Sequence, residues 1–185
     1  FKENSSYTDI AIDSKGNAHI CYFNYKNGYS AYIAEVVIKY ATNSSGTWHT
    51  ETISDTGIPR TAAGVSIAVD SNDNVYAVYK INHDSPPSEL HFAKKIATGW
   101  DVQKNIDDGY HHPSCYYGPY ALAFDSSDNA HIIYNSDCGS WGSTRYATNE
   151  NGVWEYTEVY FQKSDYGASI AIDSFDKPHY VLGIK

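Results

Sequence analysis

The sequence predicts an all-β repeat fold, a β-propeller made of blades of four antiparallel strands, with three full blades and half of a fourth. Three observations carry this expectation. One stretch is written four times with small changes: "DIAIDSKGNAHICY" (9–22), "SIAVDSNDNVYAVY" (66–79), "ALAFDSSDNAHIIY" (121–134) and "SIAIDSFDKPHYVL" (169–182). Asp13, Asp70, Asp125 and Asp173 hold one place in these copies at separations of 57, 55 and 48 residues, and a period of roughly 50 belongs with propellers and arrays. Apolar and small residues alternate within each copy, and the chain carries 18 tyrosines, a residue suited to half-buried pleated surfaces.

Each element follows in order from the repeat. "IAID", "IAVD", "LAFD" and "IAID" form the first strand of each unit, because alternate side chains of a strand point to opposite faces. Ala11, Ala68, Ala123 and Ala171 give one small face, and Ile10, Ile67, Leu122 and Ile170 begin a large one. The turns "DSKGN", "DSNDN", "DSSDN" and "DSFDKP" come next; Asp, Ser, Asn and Gly bond the local backbone and tolerate left-handed φ. "HICYF", "VYAVY", "HIIY" and "HYVL" are second strands, and "VVIKYAT", "LHFAKK" and "TRYAT" are third strands. The Ala and Glu of "AYIAEVVIKYA" suggest a helix, but its register with the other third strands overrules that. Trp-led segments, "GTWHTETI", "TGWDVQKNI" and "GVWEYTEV", close each unit. Residues 1–185 thus read as a single repeat domain with blades over 6–57, 63–108 and 117–162 and a partial blade over 168–185.

Each blade is expected to bury its large face against the small face of a neighbour. An open array leaves such faces and edges exposed, so further blades or another chain are expected to close the ring. The chain has no methionine, including at position 1, and reads most simply as a segment of a longer precursor.

Composition excludes some partners. The net charge is −9 with only Arg60 and Arg145 as arginines, which argues against nucleic acid, whose phosphates need clustered basic residues. Mean hydropathy is −0.50, and no apolar run approaches the ~20 residues of a membrane helix. The sequons at Asn4 and Asn43 carry little weight in an Asn- and Ser-rich chain.

The repeat grammar, with its "SIAVDSNDNVY" core, "YAT" third strand and Gly-x-Trp turn, resembles that of extracellular propellers related to the sialidase (BNR, Asp-box) superfamily, and is also similar to propeller lectins. The Asp-box pattern Ser-x-Asp-x-Gly-x-Thr-Trp is only approached, by "NSSGTW" (43–48) and "NENGVW" (149–154). The resemblance implies an arginine triad, a Tyr–Glu nucleophile pair and an Asp acid/base. Two arginines cannot supply the triad, so sialidase activity is not expected, and the chain leans away from being an enzyme.

The candidate ligand surface is the end of the propeller that gathers the loops between second and third strands with the connections between blades. It holds Tyr25, Tyr29, Tyr110, Tyr116, Tyr117, Trp141 and Tyr166, beside Asp55, Asp84, Asp107, Asp108, Asp137 and Asp165. Aromatic platforms next to Asp and Asn suit sugar rings, with their apolar faces and polar edges. Arg60, Tyr110, Tyr116, Tyr117, Asp137, Trp141 and Tyr166 are therefore expected to bind ligand, a glycan or a cell-surface protein. A non-catalytic carbohydrate-recognition module is the favoured function. A structural or adhesive surface protein is the alternative, and a glycoside hydrolase with two carboxylates flanking a sugar comes third.

No cofactor or metal is expected. His111 and His112 diverge as neighbours and lack metal-ligand spacing, and the "DSNDN" turns lack the later Glu of a calcium loop. His19, His131 and His179 share a strand position with Tyr76 and read as hydrogen-bonded packing residues. Cys115 and Cys138 lie in loops that propeller topology brings to one end, where their Cα atoms can reach the ~4.4–6.8 Å of a disulfide. Such a bridge implies an oxidising, extracellular or cell-surface location. Cys21 is the odd thiol, in mid-strand.

Overall fold

The computed structural model describes residues 5–25, 35–59, 61–82, 89–107, 120–135, 143–160 and 167–183. They form three four-stranded antiparallel sheets and one two-stranded sheet, and no helix occurs among them. The first blade is β1 (Ser5–Ile12), β2 (Ala18–Tyr25), β3 (Glu35–Thr42) and β4 (His49–Pro59). The second is β5 (Thr61–Val69), β6 (Val75–Asn82), β7 (Glu89–Ile96) and β8 (Gly99–Gln103). The third is β9 (Tyr120–Phe124), β10 (Ala130–Asn135), β11 (Thr144–Thr148) and β12 (Glu155–Tyr160), and β13 (Ala168–Ile172) with β14 (Pro178–Leu182) begins a fourth. Within each sheet the strands lie in chain order. This is the blade pattern expected from the repeat, and the described sheets do not close into a ring.

The turn after the first strand of each blade is built by its leading aspartate. Asp13 Oδ1 accepts the N–H of Lys15 and of Asn17 at 3.0 and 2.7 Å, and Oδ2 accepts the Asn17 side-chain amide at 2.8 Å. Asp70 and Asp125 repeat the arrangement with Asn74 and Asn129. The fourth turn residue is left-handed in all four copies: Gly16, Asp73, Asp128 and Asp176 have φ of +82°, +62°, +62° and +61°. Gly needs no accommodation there, and Asp is among the few other residues that accept it.

Packing alternates as the sequence implies. A first core cluster joins Cys21, Phe23, Val36 and Ile38 of the first blade to Val65, Ile67, Ala77 and Tyr79 of the second, with Ala11 packed against it. A second joins Val78, Leu90 and Phe92 to Leu122, Ile132 and Tyr134 of the third blade, with Ala68 against it. The small face of one blade thus receives the large face of the next. Complete burial of such an aliphatic side chain contributes roughly 1.5–3 kcal/mol. Among the described residues no blade covers the outer large face of the first blade, and Ile10 and Ile12 are each 57% exposed.

Polar clasps run beside these faces. Ser14 donates its N–H and its hydroxyl to the two carboxylate oxygens of Asp73, both at 2.8 Å. Ser71 does the same to Asp128 at 2.8 and 3.0 Å, and Ser126 to Asp176 at 2.8 and 2.7 Å. Each left-handed aspartate therefore anchors the preceding blade's turn. Trp100 Nε1 donates to Glu51 of the first blade at 2.8 Å, and Trp154 Nε1 to Gln103 of the second at 3.1 Å. Tyr40 meets Trp100, and Phe92 meets Trp154, edge to face with centroids 5.2 and 5.1 Å apart.

The clasps depend on ionised carboxylates. The Ser14 N–H, then its hydroxyl, holds Asp73 below the usual carboxylate range. The Asn17 side-chain amide does most to lower Asp13 to about 2. At Asp125 burial opposes ionisation, but the bonds from Asn129, His131 and Ser127 outweigh it and the shift is downward. Groups with depressed folded-state values stabilise fully above their unfolded values, and that stability is lost as pH falls through the folded ones. Thermal stability is therefore expected to be level above about pH 5 and to fall steadily from about pH 4 toward 2. In Asp73→Ala the melting temperature should be lower at neutral pH and the acid dependence shallower. Calorimetric scans of both proteins across that range check this.

Candidate functional site

The blades have two unlike ends. The antiparallel order puts the tight turns at 13–17, 70–74, 125–129 and 173–177 at one end, together with the turns joining third to fourth strands. The connections spanning 26–34, 83–88, 108–119, 136–142 and 161–166 leave from the opposite end of the strands. That is the end where the sequence places its ligand surface. Arg60, Tyr110, Tyr116, Tyr117, Asp137, Trp141 and Tyr166 lie outside the described residues, as do Cys115 and Cys138. Two residues first counted with that surface belong to the scaffold. Tyr25 packs against the first core cluster, and Asp107 is buried.

The turn end contains a cleft of about 400 Å³ between the first two blades, lined among others by Asp13, His19, Tyr40, Glu51, Asp73 and Lys95. Sequence reasoning missed it, because its walls come from turns and strands of different blades. The only local signal is the polar residue three positions after each Trp, Glu51 and Gln103, which meets the next blade's Trp. The cleft is polar and its groups are largely engaged. Lys95 Nζ sits 3.1 Å from Glu51, Asp13 builds its turn, and Asp73 holds the clasp. It offers a surface for a polar solute rather than a pair of free carboxylates.

At the recurrent histidine position His19 is hydrogen-bonded packing, as expected, whereas His179 is hydrogen-bonded but exposed. His19 is buried, with Nδ1 2.5 Å from the Tyr40 hydroxyl and Nε2 3.3 Å from Asp13. His179 Nε2 lies 2.9 Å from Asp173, and that bond is the chief reason Asp173 is held below the usual range. Tyr76, which replaces His in the second blade, donates its hydroxyl to Asp70 at 3.2 Å. Either residue type therefore caps the turn aspartate. The oxygens of Asp70 are committed to Asn72, Asn74 and Tyr76, so the turn's own bonds account for the acidic pattern that suggests calcium. Cys21 is fully buried and unbridged, and burial pushes its thiol well above the ordinary range. It is an inert core residue.

No family model matches the chain, and no curated protein matches it. Solved structures do. A polysaccharide lyase of family PL25, an ulvan lyase bound to -[GlcA(1-4)Rha3S]-, superposes with a TM-score of 0.59 at 11% identity over 90% of this chain and 44% of its own. A protein of unknown function from Dyadobacter fermentans gives 0.64 at 10% identity, over 98% of this chain and 62% of its own. A GH130 glycoside hydrolase described as targeting beta-1,2 mannosidic linkages in Candida mannan gives 0.52 at 12% identity, over 99% and 53%. The chain spans less than half the length of the lyase. At these identities the likeness is one of fold: the chain has a propeller-like architecture in common with these structures, two of which are glycan-active proteins.

Proposed function

We propose that this chain is a non-catalytic recognition module that binds carbohydrate outside the cell, through the connections at the end of the blades opposite the clasped turns. The observation that carries this reading is the asymmetry of the two ends. One is stitched blade to blade by Ser–Asp clasps and tight turns. The other receives every long connection, and those segments contain Tyr110, Tyr116, Tyr117, Trp141, Tyr166 and Asp137, while Arg60 is the residue that joins β4 to β5. A rigid scaffold carrying variable loops is how folds host binding sites. The glycan-active proteins that share the architecture support a sugar as ligand, at the level of fold. A net charge of −9 with two arginines disfavours polyanionic chains, so neutral glycans fit better than sulfated uronans. The exposed Ile10, Ile12 and Val181 favour contact of the outer blade faces with further blades or another chain.

Screening the protein on an array of neutral and acidic glycans tests this. Binding to neutral glycans without released product is expected, and Tyr116→Ala with Tyr117→Ala should weaken it tenfold or more, about 1.4 kcal/mol. Product release would make it an enzyme. Silence on every glycan would favour the adhesive alternative.

The extracellular part of the proposal rests on a Cys115–Cys138 bridge. Alkylation of the denatured, unreduced protein should label one thiol, that of Cys21, and reduction should raise the count to three. Three labelled thiols before reduction would remove the bridge and the argument for an oxidising compartment. Intact mass reads either result.

A further inference from the structure

We infer that the third blade carries a binding site for a divalent transition-metal ion, zinc being the best fit, formed by Asp125, His131 and Glu150 at the turn end. One donor atom from each residue lies within 4.8 Å of the other two. His131 Nε2 is 3.4 Å from Asp125 Oδ2 and 3.8 Å from Glu150 Oε1. Two ligands bound to tetrahedral zinc at its usual bond lengths lie about 3.4 Å apart. Only Glu150 has to close in, and its side chain is 48% exposed and free to turn about its own bonds.

The imidazole is the decisive group. His131 is 0% exposed, and its Nε2 faces two carboxylates, with only a long 3.4 Å contact to Asp125. Its other nitrogen, Nδ1, lies 2.5 Å from the Tyr146 hydroxyl. In the tautomer that donates Nδ1–H to Tyr146, the Nε2 lone pair is turned toward two carboxylates, and this is the form that a bound cation selects. A partner on the far nitrogen is also what orients a metal-bound imidazole. Asp125 is held in turn by the backbone N–H of Ser127 and Asn129 and by the Asn129 side chain.

The sister blades supply the control. In the first, His19 is bonded to Asp13 and the place of Glu150 is taken by Ser44. In the second, Tyr76 stands in place of the histidine. In the fourth, His179 lies 2.9 Å from Asp173. Among the described residues only the third blade adds a second carboxylate to the imidazole. Imidazole with two carboxylates suits zinc and its first-row neighbours rather than calcium, which takes oxygen ligands alone. The ion would tie the β9–β10 turn to the β11–β12 turn and leave a fourth position to water at the exposed rim.

Titration of the EDTA-treated, dialysed 185-residue protein with Zn²⁺ alone tests the site, by calorimetry and by the nitrogen resonances of His131. One ion should bind at this site, shift the His131 Nε2 resonance and raise the melting temperature. Glu150→Ser copies the residue of the first blade, so its metal-free melting temperature should match that of the parent, and its zinc affinity should fall at least tenfold. Absence of zinc binding, an unmoved His131 resonance, or equal affinity in Glu150→Ser would each overturn the inference. Equal affinity would assign the bound zinc to other histidines or thiols of the chain.

Discussion

Among the described residues the first two sheets each have a face that is buried by the sheet that follows. The constraint follows from alternation in one short strand: Ile67 and Val69 point back to the first blade, while Ala68 points forward to the third. Burial of the large face supplies the attraction, at roughly 25 cal/mol per Å² of apolar surface. The small face admits it closely. Neither face can be covered within a blade, so the stability of one blade is inseparable from the presence of its neighbour.

Hydrophobic faces attract without fixing where they meet. The directional bonds supply that register, and they are placed at successive radii of the blade. Asp9 accepts from the Ser66 hydroxyl and the Ile67 N–H at 2.6 and 2.9 Å on the first strands. The Ser–Asp clasps fix the turns, and the Trp bonds fix the fourth strands. Trp48, 47% exposed, and Gly16, with no carboxylate to offer a serine, hold the same positions in the first described blade. Among the described residues the clasps and the Trp bonds lie at the turn end, and the longer connections leave from the other end. Such a division lets connections vary while the scaffold stays fixed.

The strands were legible in the sequence because each is a local pattern: alternation in "SIAVD", the Asp-Asn turn, the Trp after Gly. The large-on-small packing was legible for the same reason, being written in consecutive residues. The clasps were not read, because Ser14 and Asp73 are 59 residues apart and each looks like an ordinary turn former. The signal was present in the turns themselves, where Asp73, Asp128 and Asp176 stand in three copies and Gly16 in the first. The polar cleft was missed because it exists only between blades. The Asp125, His131 and Glu150 cluster spans two turns and a strand, so no short metal-ligand spacing marks it. The proposed ligand surface rests on sequence and strand topology, because its residues belong to connections whose course no repeat dictates.

The central claim is that each blade's turn is anchored by the aspartate of the blade that follows. Amide hydrogen exchange at the four equivalent serines reads it directly. The N–H groups of Ser14, Ser71 and Ser126 each donate to such an aspartate at 2.8 Å, while Ser174 has no such partner among the described residues. The account predicts protection at the first three and fast exchange at Ser174, with Asp128→Ala abolishing protection at Ser71 alone. Equal exchange at all four amides, or protection at Ser71 that survives Asp128→Ala, would contradict it.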